Sequence, residues 1–328
     1  METIKLNNIG AITNALEIAM ERDKSVIVYG EDAGFEGGVF RATQGLQKKF
    51  GVNRVFDAPI SESAIVGTAI GSAMAGLRPV AEIQFSGFIF YGLGQLFPSA
   101  ARMRNRSRGK FNVPLVLRMP VGGGVKALEH HSEAIEALFT HIPGLKVVMP
   151  ATPYDTKGLL LSAIDDNDPV VFLEHKHDYR AFKQEIPAGH YTVEIGKADV
   201  KVEGDDLTVV TYGHMLHETT AALQLLREEG KDYSIEVIDL RTLKPLDTKT
   251  VIDSVKKTGR VLVVSESVQS GSITAEVITR VNEHAFDNLL AAPVRLNGAD
   301  VTIPLPALEN EFTVNKDRIA TVIKEILG

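Results

Sequence analysis

At 328 residues the chain is longer than one hydrophobic core usually organises, and 44% apolar against 23% charged residues describes a globular protein. The net charge of −7 has the wrong sign for general attraction to nucleic acid, and no window reaches the ~18 unbroken apolar residues of a membrane span. Cysteine is absent, which excludes disulfides, a thiolate nucleophile and cysteine zinc sites.

The amino terminus shows no basic region, apolar core and cleavage site in series, and reads directly into an amphipathic helix, so a cytoplasmic location is expected. From Ser25 the runs "SVIVYGED", "RVFDAPI", "RPVAEIQF", "PLVLRMPV", "LKVVMPA" and "PVVFLEH" alternate with helix-like stretches. That alternation predicts a parallel sheet covered by helices. After about residue 185 the pattern breaks into a mixed, proline- and glycine-punctuated segment through Gly204, read as a connection over 186–204. A second alternation over 205–328, with strands "DLTVVTYG", "SIEVIDL", "RVLVVSES" and "APVRLNG", completes an α/β chain of two open parallel-sheet domains.

Ligands of open α/β sheets bind beyond the carboxyl ends of the strands, where Glu31, Asp32, Glu62 and Gln84 stand. Glu62 heads "SAIVGTAIGSAMAG", which reads as too small and too apolar on every side for a surface helix. A carboxyl at a buried mouth is placed to share a proton with a nitrogen base. The competing role is an ordinary acid in a first helical turn, with Ser61 or Ser63 capping.

"ARMRNRSRGK" carries charges at every second residue without interleaved aromatics, the pattern of a solvated or partner-facing helix end. "PVGGGV" is able either to turn amides toward an anion or to give room to a neighbouring group. In "KALEHHSEAIEALFTHIPG", the adjacent His130 and His131 would point apart on a helix, which argues against zinc. Ser132 is the expected N-cap of the helix that follows, with the histidines on a loop suited to proton transfer.

Beyond these local readings, "YGEDAGFEGGVFRATQGLQKKFG", "FDAPISESAIVG", "AEIQFSGF", "HHSEAIEALFTHIPGLKVVMPATPYDTKGLLLSAIDDNDPVVF" and "VIDLRTLKPLD" resemble, in order and over nearly the whole chain, the beta subunits of the thiamine-diphosphate-dependent decarboxylase of 2-oxo acid dehydrogenase complexes. The likeness is nearest the bacterial members that act on pyruvate. It implies a pyrimidine-binding domain followed by a transketolase C-terminal-like domain. By position it implies that Glu62 hydrogen-bonds the aminopyrimidine ring nitrogen and that Ile60, Gln84 and Phe88 line that pocket. His131, of the adjacent pair, would serve acyl transfer to lipoamide. Leu115, Ala163, Ile164, Asp166 and Asp168 fall where the family holds a structural potassium. The chain has "EGDD" but no G-D-G, so the magnesium and diphosphate would be held by an alpha chain, in a tetramer of two alpha and two beta chains. The resemblance also implies docking of the carboxyl-terminal domain onto the lipoyl-bearing dihydrolipoamide acetyltransferase core. Within the family, branched-chain 2-oxo acids are the rival substrates. A noncatalytic scaffold would need neither Glu62 nor His131.

Overall fold

The computed structural model describes residues 2–328. The chain divides into two compact units, one ending at Val125 and resuming over His130–Ile195, the other comprising Lys126–Glu129 and Gly196–Gly328.

In the first unit, β1 (Thr3–Leu6) precedes the helix Asn8–Arg22, where the sequence suggested that the helix came at once. There follow β2 (Val26–Gly30), β3 (Val55–Asp57), β4 (Arg78–Glu82), β5 (Val116–Val121), β6 (Lys146–Val148) and β7 (Val170–His175). Hydrogen bonding places them in the order β6, β7, β5, β4, β2, β3, all parallel. β2, β5 and β7 are buried throughout, as expected of strands covered on both faces. β8 (Gln184–Pro187) returns to pair antiparallel with β1.

The helix Asn8–Arg22 is started by Asn7, whose side chain accepts the Gly10 N–H. It packs against the helix Pro153–Asp165, capped by Thr152 in the same manner, and the two lie over the sheet. Ile12 and Leu16 are fully buried there, each worth roughly 1.5–3 kcal/mol of removed apolar surface.

Chain order fixes where a ligand belongs. The chain leaves β2 for β3 on one side and then returns to lay β4 on the other, so the order reverses between β2 and β4. The crevice at that reversal, outside the carboxyl ends of β2 and β4, is the expected ligand position of a doubly wound sheet.

The second unit contains β9 (Asp199–Val202), β10 (Leu207–Thr211), β11 (Ile235–Asp239), β12 (Thr242–Lys244), β13 (Val261–Val268) and β14 (Val294–Gly298). A five-stranded sheet runs β14, β13, β10, β11, β9, parallel except for β9, which is antiparallel to β11. The sheet is therefore mixed, since an edge strand also drawn from the 186–204 segment closes it. Two of its helices begin at side-chain caps: Asp247 accepts from Thr250 at the start of Thr248–Thr258, and Asn315 from Arg318 at the start of Lys316–Leu327. Among the described residues no helix is long and apolar enough to cross a membrane.

Candidate active site

β4 ends at Glu82, and two residues later Gln84 begins a turn through a cis peptide bond to Phe85. A short 3₁₀ helix, Ser86–Gly92, then carries the chain across to the start of the helix Glu62–Met74. The crossing is close: a Cβ on Gly92 would lie 3.3 Å from the Glu62 carbonyl oxygen, and Ser63 Oγ donates to the Tyr91 carbonyl. Gly30, the last residue of β2, lies so near β4 that a Cβ would come within 2.6 Å of the Glu82 carbonyl oxygen. These approaches gather Glu31, Glu62, Glu82 and Gln84 at the switch-point crevice.

Glu62 is the first residue of its helix and is 8% exposed. Ser61 holds the N-cap position but makes no side-chain capping bond, and Ser63 is committed to Tyr91, so neither serine caps as expected. The helix is not buried on every side: Ala64, Thr68, Gly71 and Met74 face outward, because the sheet and the crossing segment cover only its other face.

The neighbouring carboxyl, Glu31, is pushed up to about 7, first by burial and then by the charges of Glu62, Asp32 and Glu82. Its buried Oε1 has no hydrogen-bond partner among the described residues. Gln84 is buried, donates through Nε2 to Glu82 Oε1, and leaves its own Oε1 buried and without a partner. Glu82 in turn accepts from Arg118 Nη1 at 2.6 Å. Arg118, 1% exposed, grips Glu174 with its other edge at 2.6 and 2.8 Å, and the Tyr179 hydroxyl completes that carboxylate at 2.7 Å. Burial pushes Glu174 up from the usual carboxylate range while Arg118 draws it back. The row Tyr179, Glu174, Arg118, Glu82, Gln84 thus runs across β7, β5 and β4 and ends at the crevice.

The two histidines separate. His131 packs between Phe85, at 4.8 Å between ring centres, and the edge of Phe88, at 5.3 Å. Its Nδ1 is buried without a partner among the described residues, whereas His130 stacks on Phe88 and is exposed. The loop is pinned: Glu133's carbonyl accepts from Ser86 Oγ and from the Gly122 N–H. A carbonyl so engaged does not enter a helix, and the helix begins only at Glu136, with Ile135 in the cap position. Ser132 is therefore not its N-cap; it is buried, and its Oγ has no partner among the described residues. In "PVGGGV", Gly124 has φ +82° and gives room to His177, which a Cβ would meet at 2.8 Å.

Of the other expected site residues, Phe88 is half-buried beside His131, while Ile60 is 81% exposed at the crevice mouth. The potassium set is brought together in part. Ala163 and Ile164 end the helix Pro153–Asp165, whose carboxyl-terminal carbonyls carry partial negative charge. Arg78 Nη1 already donates to the carbonyls of Ile164 and Asp166, at 2.9 and 2.8 Å, and the Leu115 carbonyl accepts from Val170. The Asp166 carboxylate pairs with Lys146 and that of Asp168 with Arg104. Arg104 belongs to the basic run, whose arginines and lysine are all exposed.

Sequence reading named Glu31, Glu62, Gln84 and His131 by position or resemblance, and did not name Arg118, Glu82, Glu174 and Tyr179, which the structure links to Gln84. The signal was present: "PLVLRMPV", "RPVAEIQF" and "PVVFLEH" each place a charge inside a buried apolar run, where it must be paired.

The chain matches the transketolase pyrimidine binding domain over residues 5–181 and the transketolase C-terminal domain over 196–319. It is 59% identical to the pyruvate dehydrogenase E1 component subunit beta of Acholeplasma laidlawii, with 96% of each chain covered. It is 48% identical to that of Bacillus subtilis, covering 98% of this chain and 99% of the relative. The Bacillus subtilis 2-oxoisovalerate dehydrogenase subunit beta is also 48% identical, with 98% of each covered. A split gene transketolase, described as an inactive beta4 tetramer, shares the fold with a TM-score of 0.76 at 20% identity, over 98% of each chain. With both transketolase domains in order and a switch-point crevice built around a buried acid, the chain belongs to the beta subunits of the decarboxylase component of 2-oxo acid dehydrogenase complexes.

Proposed function

We propose that this chain, paired with an alpha chain, decarboxylates pyruvate on thiamine diphosphate and passes the acetyl group to lipoamide of a dihydrolipoamide acetyltransferase core, towards acetyl-CoA. The observation that carries the reading is the buried Glu62 carboxyl at the switch point, beside a buried Gln84 oxygen with no partner. Those two groups suit an aminopyrimidine, which offers ring nitrogens to an acid and an amino group to an acceptor. When bound, the cofactor supplies a nucleophilic carbon and an electron sink for decarboxylation.

The residues of this chain do the rest. Glu62, 8% exposed, holds a proton at the ring nitrogen. His131, wedged between Phe85 and Phe88, has its ring orientation set by packing and moves a proton at the acyl oxygen or the lipoyl sulfur. The exposed Phe35, Ile60 and Tyr91 lie on segments around the mouth and suit closure by a partner chain. That partner supplies the magnesium and diphosphate half of the site in a tetramer of two alpha and two beta chains, and the carboxyl-terminal domain docks the core. The 48% identity to a 2-oxoisovalerate dehydrogenase beta subunit keeps a branched-chain substrate as the second reading. A turnover comparison of pyruvate with 3-methyl-2-oxobutanoate separates the two.

The domain division that accompanies this reading is 1–185 for pyrimidine binding and 205–328 for the transketolase C-terminal-like part. The same reading assigns a structural potassium to Leu115, Ala163, Ile164, Asp166 and Asp168. Each carbonyl oxygen has two lone pairs, so the bonds from Arg78 and Val170 leave acceptor capacity. Replacing potassium with choline should lower the melting temperature; an unchanged value would remove the ion from the reading.

The test of the whole is Glu62→Gln in the assembled enzyme. Removing the ionisable proton should slow proton-deuterium exchange at the thiazolium carbon by roughly 100- to 10,000-fold, the usual reach of general acid-base catalysis. Wild-type exchange and turnover would return Glu62 to an ordinary first-turn acid.

A further inference from the structure

We propose that Lys176 is a positioning residue for acyl transfer, holding the ring of His131 in place by two routes, one through Gly122 and one through Phe85. The inference rests on the acyl-transfer role read for His131.

It starts from strand register. β5 and β7 pair in parallel with Val121 opposite His175, so the residues that follow, Gly122 and Lys176, leave the sheet side by side at its carboxyl edge. Lys176 opens a 3₁₀ turn, Lys176–Tyr179, and is 4% exposed. Lysine is rarely buried to that extent unless its amino group is engaged. Here Lys176 Nζ donates to the Gly122 carbonyl.

The first route follows from the other group of Gly122. At φ +81° this residue turns the chain out of β5, and its N–H donates to the Glu133 carbonyl at 3.2 Å. That carbonyl lies two residues beyond His131 and also accepts from Ser86 Oγ. A single glycine therefore carries Lys176 on its carbonyl and the histidine loop on its N–H. The second route runs through the aromatic platform. Lys176 Nζ lies over the Phe85 ring, 5.6 Å from its centre, and Phe85 packs on His131 at 4.8 Å. Phe40 meets the same ring edge-on at 5.8 Å, so Lys176 and Phe40 together hold the surface on which the imidazole leans.

A lysine that served only to satisfy one carbonyl would need neither the aromatic neighbour nor the link to the loop. Both contacts lead to the same imidazole. His131 Nδ1 is buried without a partner among the described residues, so no hydrogen bond at that nitrogen orients the ring and packing must do so. Loss of the two supports would shift the imidazole on the ångström scale, where rates fall roughly 10- to 100-fold.

The experiment is a double-mutant cycle in the assembled alpha and beta chains. Acetyl transfer from pyruvate to lipoamide is the main readout, and reduction of ferricyanide, which needs no lipoyl group, reports decarboxylation. Lys176→Met keeps the length of the side chain and removes its donors. It should lower transfer roughly 10- to 100-fold, and lower it more than it lowers ferricyanide reduction. In a His131→Ala background there is no ring to place, so the same substitution should cost less than ~2-fold, because changes that act through one group do not add. A side chain that only supports the fold would cost the same factor in both backgrounds. Lys176→Gln, whose amide ends one atom short of the lysine's reach, stands in if Lys176→Met does not assemble. Unchanged transfer in the assembled variants overturns the proposal, as does an equal fall in both activities or the same loss with and without His131. If His131→Ala itself transfers at the wild-type rate, the histidine reading falls and this inference falls with it; if His131→Ala is impaired and the Lys176 variants are not, the inference alone is overturned.

Discussion

Glu31 shows how a residue that makes no hydrogen bond at its buried oxygen still reports on its neighbours. Burial, and then the charges of Glu62, Asp32 and Glu82, push it up from 4.5 to about 7. Its folded-state value lies above the unfolded one, so the folded chain holds the extra proton in between. The stability it allows is whole below about pH 4.5 and is lost as pH rises through 7. Replacing it with Gln should remove that loss, raising stability at pH 8 by about 1–2 kcal/mol after screening by water, with little change at pH 4.5. Scanning calorimetry at the two pH values checks it; an equal gain at both would mean that the charge is not the cause. At this scale the sequence was readable where a residue stood at a strand end, as Glu31, Glu62 and Gln84 do. It was opaque where the role came from a cross-strand partner: Arg118 meets Glu82 and Glu174 only once β4, β5 and β7 lie side by side.

The elements were legible in proportion to how locally they are determined. Central parallel strands are covered on both faces and read as apolar runs, so all six of the first sheet's predicted strands appear where expected. The pair β1 and β8 was not foreseen, because Thr3 meets Pro187 across most of the first unit and neither strand carries a periodic signal. The histidine loop was misjudged for a similar reason, its course being set by Ser86 and Gly122 rather than by a cap at Ser132. Gly87 tests that account. A Cβ there would come within 2.4 Å of the His130 carbonyl oxygen and 2.8 Å of Glu133 Oε2, both on that loop. Gly87→Ala should therefore displace His131 and cut transfer to lipoamide roughly 10- to 100-fold, the usual effect of an ångström-scale misplacement. Gly71→Ala is the control, since nothing lies within 4 Å of its Cβ and it sits on the outward face of its helix. It should stabilise the chain by about 0.5–1 kcal/mol and leave the histidine loop in place. Equal transfer rates in Gly87→Ala and wild type would show that the loop's seat on Gly87 does not set His131.

At the scale of the whole molecule, the two α/β units were legible because strand and helix alternate twice, with a break between. What the chain lacks was legible only through resemblance: the segment that would hold a diphosphate. The structure gives that a physical form. The carboxyl edge of the first sheet gathers Glu31, Asp32, Glu62 and Glu82, whose charges are felt together at Glu31. An acidic edge on a chain of net charge −7 repels a diphosphate unless a cation and its ligands come from elsewhere. The isolated chain should therefore bind thiamine diphosphate no more tightly than ~1 mM, through ring contacts at Gln84 and Glu62 alone. Adding an alpha chain and magnesium should tighten it about 1,000-fold, or ~4 kcal/mol. Calorimetric titrations of the chain alone, of the chain with magnesium, and of the assembled pair with and without magnesium separate the contributions. If the isolated chain binds tightly once magnesium is present, then one of its own carboxylates holds the metal, and the division of the site between two chains is wrong. If the pair binds equally well without magnesium, the acidic edge is not what the metal offsets.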